Sequence, residues 1–350
     1  MKVLVTGGAG YIGSHAAQRL LADGHSVVVV DNLSRGHARA VQRLREHARN
    51  GDRLGFEHLD IRATDPIETL IREHRIDTVM HFAALTYVGE SVEKPLDYYE
   101  NNTAGSLSLL RACERSWSHA HGGVRRFVFS STAATYGEPP ADRVPIREDC
   151  PQNPINPYGA SKLMVERMLR DSVAAAARSG SDFAAACLRY FNVAGADHTG
   201  LIGEDHDPET HLIPIAIQAA MGKRPGMTIF GEDYPTTDGT CVRDYVHVED
   251  LADAHVTVMQ KMTTGTCVAY NLGIGRGYSV KEVIAAVERV TAKPIPVRIG
   301  ERRAGDPPVL FADPAKIRAE LGWSASWTDL ERIISTAWEW MRRNPEGYGR

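Results

Sequence analysis

Lys2-Val3-Leu4-Val5-Thr6-Gly7-Gly8-Ala9-Gly10-Tyr11-Ile12-Gly13 is the stretch on which the reading of the whole chain turns. Lys2–Thr6 is a short apolar run with β-branched residues, the mark of a buried strand. The glycines that follow allow a tight turn and let backbone N–H groups come close to a phosphate. Residues 14–23 then have helical spacing, with Ala16, Ala17, Leu20 and Leu21 on one side and Gly24 as the stop. Residues 26–30 form a second apolar strand that ends at Asp31, eighteen residues past Gly13. Strand, glycines, helix, strand and acid in that order make a dinucleotide-binding unit. Asp31 is placed to accept hydrogen bonds from an adenosine ribose. Its charge repels a 2′-phosphate, which favours NAD over NADP. The bland alternative is a tight strand–helix turn with no ligand.

The alternation continues outward from this unit. Strands are expected over 53–59, 78–82, 126–130 and 183–189, and helices over 65–74, 95–115 and from Asn156 to about Arg178. Such alternation implies a parallel sheet with right-handed crossovers, in which ligands bind beyond the carboxyl ends of the strands. The expected fold is therefore α/β, a Rossmann-type doubly wound parallel sheet over residues 1–190. The rhythm is lost after Val193, where Gly, Pro and charged residues crowd 195–214. A smaller C-terminal α+β substrate domain is expected over 191–350. Within it, 243–248 reads as a strand and 250–261 as a helix, and segments near 240–260 return to the first domain.

Asn156-Pro157-Tyr158-Gly159-Ala160-Ser161-Lys162 carries the chemistry. Asn156 suits an N-cap and Pro157 the first helical turn. Tyr158 and Lys162, four residues apart, then share a face. An ammonium beside a phenol favours the phenolate. Alone, a Tyr-x-x-x-Lys spacing is most often a solvated helix face. The glycine turn, and Ser130-Ser131-Thr132 at a strand end, give it a redox partner and a third hydroxyl.

Composition excludes several classes. The chain has 350 residues, 43% hydrophobic and 24% charged, with 40 basic against 44 acidic side chains. Neither nucleic acid nor an anionic membrane is recruited by that balance, and no run of about 18 apolar residues spans a bilayer. Met1-Lys2 runs straight into strand and glycines, so no secretory signal is read there. Cys113, Cys150, Cys187, Cys241 and Cys267 are scattered, as reduced thiols of a cytoplasmic protein would be. Glu204, Asp205, His206, Asp207, Glu209 and His211 crowd one stretch without helical or strand pattern. That stretch is read as an acid-rich loop, and no metal is expected. Arg243 and Arg303 are candidates to fork a diphosphate, against the plainer reading of surface arginines. The tryptophans Trp323, Trp327, Trp338 and Trp340 read as core or helix packing.

Taken together, these stretches resemble the extended short-chain dehydrogenase/reductase family, and within it the UDP-hexose 4-epimerases. The similarity rests on 7–15, 31–36, 81–84, 88–102, 130–137, 157–166, 188–196, 203–214, 229–255, 270–273 and 302–308, of which 229–255 is the most specific. The resemblance implies NAD-dependent, reversible 4-epimerisation of UDP-glucose and UDP-galactose through a transient 4-keto sugar. It implies that Tyr158 is the acid/base, that Lys162 binds the nicotinamide ribose and lowers the Tyr158 pKa, and that Thr132 hydrogen-bonds the sugar. Gly7, Gly10, Tyr11, Ile12, Gly13, Asp31, Asn32, Asp60, Ile61, Phe82, Ala83, Ala84, Asn101, Tyr158, Lys162 and Tyr190 would hold NAD. Thr132, Tyr158, Asn192, Leu212, Ile229, Phe230, Arg243, Tyr245, Arg303, Asp306 and Leu310 would meet the UDP-sugar. It also implies a homodimer built on the helix over 95–115 and the helix after Lys162.

Three positions depart from the family pattern. Thr132 stands where Ser is frequent, and Thr86 where some members carry Lys. Leu310 stands where relatives carry a bulky Tyr, which shuts out N-acetylated sugars, or a small residue, which admits them. A 4,6-dehydratase needs Asp-Glu directly after the Thr, whereas this chain has Ala133-Ala134.

Overall fold

The structure is a computed structural model that describes residues 1–117, 123–303 and 306–349. Its elements in chain order are β1 (Lys2–Thr6), α1 (Tyr11–Ala22), β2 (Ser26–Asp31), α2 (Ala38–His47), β3 (Leu54–His58), α3 (Thr64–His74), β4 (Thr78–His81), α4 (Val88–Glu93), α5 (Pro95–Tyr98), α6 (Gly105–Ser116), β5 (Arg126–Thr132), α7 (Pro157–Arg178) and β6 (Ala184–Tyr190). There follow β7 (Asn192–Ala194), α8 (Leu212–Ala220), β8 (Met227–Phe230), β9 (Val242–Arg243), β10 (Tyr245–His247), α9 (Val248–Lys261), β11 (Cys267–Leu272), β12 (Tyr278–Ser279), α10 (Val280–Thr291), β13 (Val297–Gly300), β14 (Val309–Leu310), α11 (Ala315–Leu321) and α12 (Leu330–Arg343).

Seven strands join in the order β11-β6-β5-β4-β1-β2-β3. β1 pairs in parallel with β2 and β4, β2 with β3, and β4 with β5. Both sheet faces are buried, which is why β1 and β2 read as unbroken apolar runs. Leu4, Val28, Val79, Phe127 and Phe129 point to one face, where Ile67, Leu109 and Leu169 cover them. Val3, Val5, Val27 and Val29 are buried with Ala16, Ala17, Leu20 and Leu21 of α1, the side given by the helical spacing. The strand order reverses at β1, between β2 and β4. That reversal is the crevice where doubly wound sheets bind ligands.

Two compact units are present: residues 1–137, 152–189 and 252–270, and residues 138–151, 190–251 and 271–350. The second unit has its own core, in which Ile213, Ile217 and Ile229 pack with Val283, Val287 and Ile333. Trp323 and Trp340 are buried there, while Trp327 and Trp338 pack against the core edge. Among the described residues, no helix is long and apolar enough to cross a membrane. The described cysteines are free thiols.

Three local expectations are corrected. α1 begins at Tyr11, inside the glycine turn, because Gly10 serves as its N-cap. The expected helix over 95–115 runs through a π turn at Tyr99–Ala104, which separates α5 from α6. The expected strand over 243–248 splits at Asp244. The carboxylate of that residue accepts backbone N–H bonds from Ile274, Gly275 and Ala312 at 2.9, 3.2 and 3.2 Å. β9 then pairs with β12 and β14, and β10 with β7.

Candidate active site

The glycine turn fits a dinucleotide phosphate. Gly7 has a φ of +71°, and a Cβ there would lie 2.5 Å from the Ala83 backbone nitrogen. A Cβ on Gly13 would lie 2.2 Å from the Gly7 carbonyl oxygen. A side chain cannot be placed at either position. At Gly10 a Cβ would lie 3.3 Å from the Gly7 carbonyl oxygen, a tight contact that a small shift could relieve. No side chain caps α1, which leaves its first-turn N–H groups to meet an anion, with the helix dipole in support.

Asp31 ends β2 and is buried. Its carboxylate accepts N–H bonds from Ala9 at 3.0 Å and Leu33 at 2.8 Å, so it also shapes the loop. Burial pushes its pKa up, against the pull of those bonds. Four lone pairs leave capacity for ribose hydroxyls. Asn32 donates to Asp60 at 2.9 Å. Asp60 is held down to about 2, first by its hydrogen bond from Arg62. Ile61 is buried behind it, and the Phe82 ring lies 4.8 Å from that of His255. Ala83 and Ala84 follow β4 and are half-buried. Asn101 lies in the π turn and donates to Asn102 at 2.9 Å.

Tyr158, Lys162 and Thr132 converge at the ends of α7 and β5. The Asn156 side chain accepts from Gly159 N at 2.8 Å and Pro157 opens the helix, so the local start is the one the residue types require. The Lys162 Nζ donates to the Ser130 carbonyl at 2.8 Å and lies 6.0 Å from the centre of the Tyr158 ring. Burial lowers the Lys162 pKa to about 7. Tyr158 is hydrogen-bonded to Thr132, and burial raises its phenol to about 12 against the pull of that bond. The expected lowering of Tyr158 is thus not produced by the side chains around it, because desolvation of the phenolate outweighs them. The Thr132 Oγ1 also accepts from Ala134 N at 3.1 Å, so its position is fixed by the turn containing Ala133-Ala134.

Two supporting groups escaped the sequence reading. Asn102, two per cent exposed in the π turn, accepts from Leu85 N at 2.8 Å and donates to Leu85 O at 2.9 Å and to Ser161 at 3.1 Å. It thereby ties the segment after Ala84 to α7. The Glu166 carboxylate, one turn past Lys162, receives Arg189 at 2.6 and 2.9 Å, Ser131 at 2.6 Å and Gln152 at 3.0 Å. Arg189 also donates to the Tyr136 hydroxyl at 2.9 Å. A carboxylate four residues after Lys162 and an arginine in an apolar strand were the available signals. Deeper still, a histidine pins β1, β4 and α6: His81 bonds Thr6 at 2.7 Å and Ser106 at 2.8 Å, and burial drives its pKa to about 3.

The second unit gathers most of the expected UDP-sugar contacts. Arg243 in β9 is ion-paired with Asp306. Leu310 is the register partner of Arg243 across β14. Asn192 and Tyr245 are partners across β7 and β10. Ile229 is buried in β8, and the Arg303 guanidinium stacks 4.1 Å from the exposed Phe230 ring. Leu212 opens α8 and Tyr190 ends β6. Ala304 and Gly305 lie outside the described residues.

Comparison with known proteins agrees with this geometry. The family described as "NAD dependent epimerase/dehydratase family" matches residues 3–273. A UDP-glucose 4-epimerase of Halalkalibacterium halodurans is 48% identical over 99% of this chain and 98% of its own. UDP-arabinose 4-epimerase 1 of Arabidopsis thaliana is 46% identical over 99% of this chain and 81% of its own. The crystal structure of UDP-glucose 4-epimerase from Stenotrophomonas maltophila, with bound NAD and formylated UDP-arabinopyranose, is 44% identical with a TM-score of 0.90, covering 99% of each chain. A glycine turn no side chain can enter, a buried Tyr–Lys–Thr set and likeness along the whole length have one common explanation: the chain belongs to the NAD dependent epimerase/dehydratase family.

Proposed function

We propose that this protein catalyses the NAD-dependent, reversible 4-epimerisation of UDP-glucose and UDP-galactose. The observation that carries the reading is the buried Tyr158–Thr132 hydroxyl pair beside Lys162, on the same sheet as a glycine turn fit for NAD. NAD, when bound, would supply a reversible hydride acceptor for C4 of the sugar and a positively charged oxidised ring. Gly7, Gly10, Tyr11, Ile12 and Gly13 hold its pyrophosphate, Asp31 and Asn32 its adenosine ribose, and Lys162 its second ribose.

Tyr158 takes the proton from the sugar 4-hydroxyl and later returns one to the 4-oxygen. A phenol at about 12 must fall by roughly five units to act as a base near pH 7. That is roughly 7 kcal/mol, and in a desolvated site it needs close positive charge. Lys162, already near 7, serves best when its ammonium form is held by hydrogen bonds. Thr132 orients both the phenol and the sugar oxygen. Arg243 and Arg303 grip the diphosphate so that the keto sugar can turn without leaving. Ala133-Ala134 offers no acid or base for eliminating water, which disfavours a dehydratase.

A pentose reading has specific support, since one relative is a UDP-arabinose 4-epimerase. Leu310, intermediate in bulk, sets the preference among hexose, N-acetylhexose and pentose. Purified protein is incubated with UDP-galactose, UDP-N-acetylgalactosamine and UDP-arabinose without added NAD. Conversion of UDP-galactose is expected. Failure with all three sinks the reading, and turnover of UDP-arabinose alone replaces the hexose by the pentose. Tyr158→Phe is expected to keep NAD and lose about 10²–10⁴-fold in turnover, the span of general acid–base catalysis.

Exposed apolar side chains lie on α4 to α7: Val92 at 63%, Leu96 at 78%, Leu107 at 39% and Met164 at 42%. They support a homodimer formed through this face.

A further inference from the structure

The loop between β7 and α8, read from sequence as an acid-rich connection, brings two imidazoles and two carboxylates to one point. One ligand atom from each of Glu204, His206, Glu209 and His211 lies within 4.8 Å of all the others. The His211 Nδ1 is 2.8 Å from Glu204 Oε1 and 3.1 Å from Glu209 Oε1. The His206 Nδ1 is 3.0 Å from Glu204 Oε1 and 3.9 Å from Glu209 Oε2. Each Nδ1 carries at most one proton, yet each faces oxygens of both carboxylates. Both imidazoles thus face both carboxylates around one centre, the disposition that a shared cation also takes.

We propose that Glu204, His206, Glu209 and His211 form a closed, four-ligand site for a divalent transition metal, zinc by its donor chemistry. Bonds of about 2.0–2.2 Å to a tetrahedral zinc place neighbouring ligand atoms about 3.3–3.5 Å apart. The four His–Glu separations, taken to either Glu209 oxygen, are 2.8–3.9 Å and bracket that value, and all four ligand atoms lie within 4.8 Å of one another, so modest shifts seat the ion. Imidazole donors disfavour calcium and magnesium, which prefer oxygen. Two carboxylates balance the charge of the ion. Four protein ligands leave no open position, so the site is structural and takes no part in the proton transfers at Tyr158.

Its surroundings are built to orient the ligands. Glu209 Oε1 accepts the backbone N–H groups of Thr210 and His211, each at 2.8 Å. The Glu204 carbonyl accepts from the indole of buried Trp340 at 3.1 Å. Asp205 accepts from Tyr348 N at 2.8 Å, so the loop is tied to the C-terminal segment on both sides of the site. Outer-shell partners of this kind fix ligand geometry. A cavity of about 60 Å³ is bordered by Glu204, His206 and Glu209. The bound metal joins the loop, the start of α8 and the segment after α12.

The test uses full-length, untagged protein incubated with zinc, dialysed, and assayed for metal by mass spectrometry. About one zinc per chain is expected to remain. Cobalt(II) in its place is expected to give the intense visible bands of a tetrahedral ion. The double variant His206→Asn/His211→Asn is expected to bind zinc at least 100-fold more weakly, as is the milder Glu209→Gln. Retention of NAD shows that a variant is folded. A wild-type protein that keeps no zinc after dialysis overturns the proposal. So does a folded variant of either kind that keeps zinc at wild-type affinity.

Discussion

Replacing Lys162 with Met tests how the fold treats the site's own charge. Lys162 is three per cent exposed, and burial lowers its pKa from 10.5 to about 7. That difference of roughly 3.5 units corresponds to about 5 kcal/mol. The sign follows from which form burial disfavours. Below pH 7 the amine is protonated in both folded and unfolded chains, and the full cost of burying the charge is present. Between pH 7 and 10.5 the unfolded chain keeps the proton while the folded one gives it up. Stability therefore rises with pH across that window, and the penalty is gone above it. Met has similar length and no charge, but it leaves the Ser130 carbonyl without its 2.8 Å donor, a loss of about 1–3 kcal/mol. NAD-free Lys162→Met is thus expected to be about 2–4 kcal/mol more stable than the parent at pH 6 and about 1–3 kcal/mol less stable at pH 10. Urea unfolding followed by circular dichroism across that range reads both numbers, and comparing the two proteins cancels the other titrating groups. A parent curve that is flat between pH 7 and 10, or a variant with the same slope, refutes the reasoning. The group proposed to serve catalysis is here one that weakens the NAD-free fold.

Two further outcomes concern groups away from the proton itself. Arg189→Met strands the buried Glu166 carboxylate and is expected to cost about 3–5 kcal/mol in urea unfolding, whereas Glu166→Leu combined with Arg189→Met recovers more than half of that. Equal losses in single and double variants would show that the pair acts through packing. Leu96→Glu with Leu107→Glu is expected to convert a dimer into a monomer in sedimentation velocity while leaving bound NAD intact. A parent protein that is already monomeric at micromolar concentration removes the homodimer.

The nucleotide half of the site was legible because most of its determinants are local. Gly13 is required by its contact with Gly7 and Gly8 within one strand–turn–helix, and Asp31 ends the strand that pairs next to β1, so spacing exposes both, whereas Gly7 is required by the Ala83 backbone that follows β4. The Asn156 cap and Pro157 likewise set α7 from within five residues. Where the reading slipped, a distant partner decided. Asp244 breaks its strand only because the backbones of Ile274, Gly275 and Ala312 come to meet it. The π turn at Tyr99–Ala104 aims Asn102 at Leu85 and Ser161, a requirement invisible in the apolar spacing of 95–115.

By itself the sequence determined the alternating strands and helices, the phosphate turn and the Tyr158–Lys162 spacing, since all three show in residue types and spacing over a few residues. Only the tertiary structure decided the charge balance of the site. How far Tyr158 is raised and Lys162 lowered depends on how completely the packed strands and helices exclude water from them. It likewise decided that Glu204, His206, Glu209 and His211, unpatterned as a string, meet at a single point, because Trp340 and Tyr348 from the far end of the chain hold that loop in place.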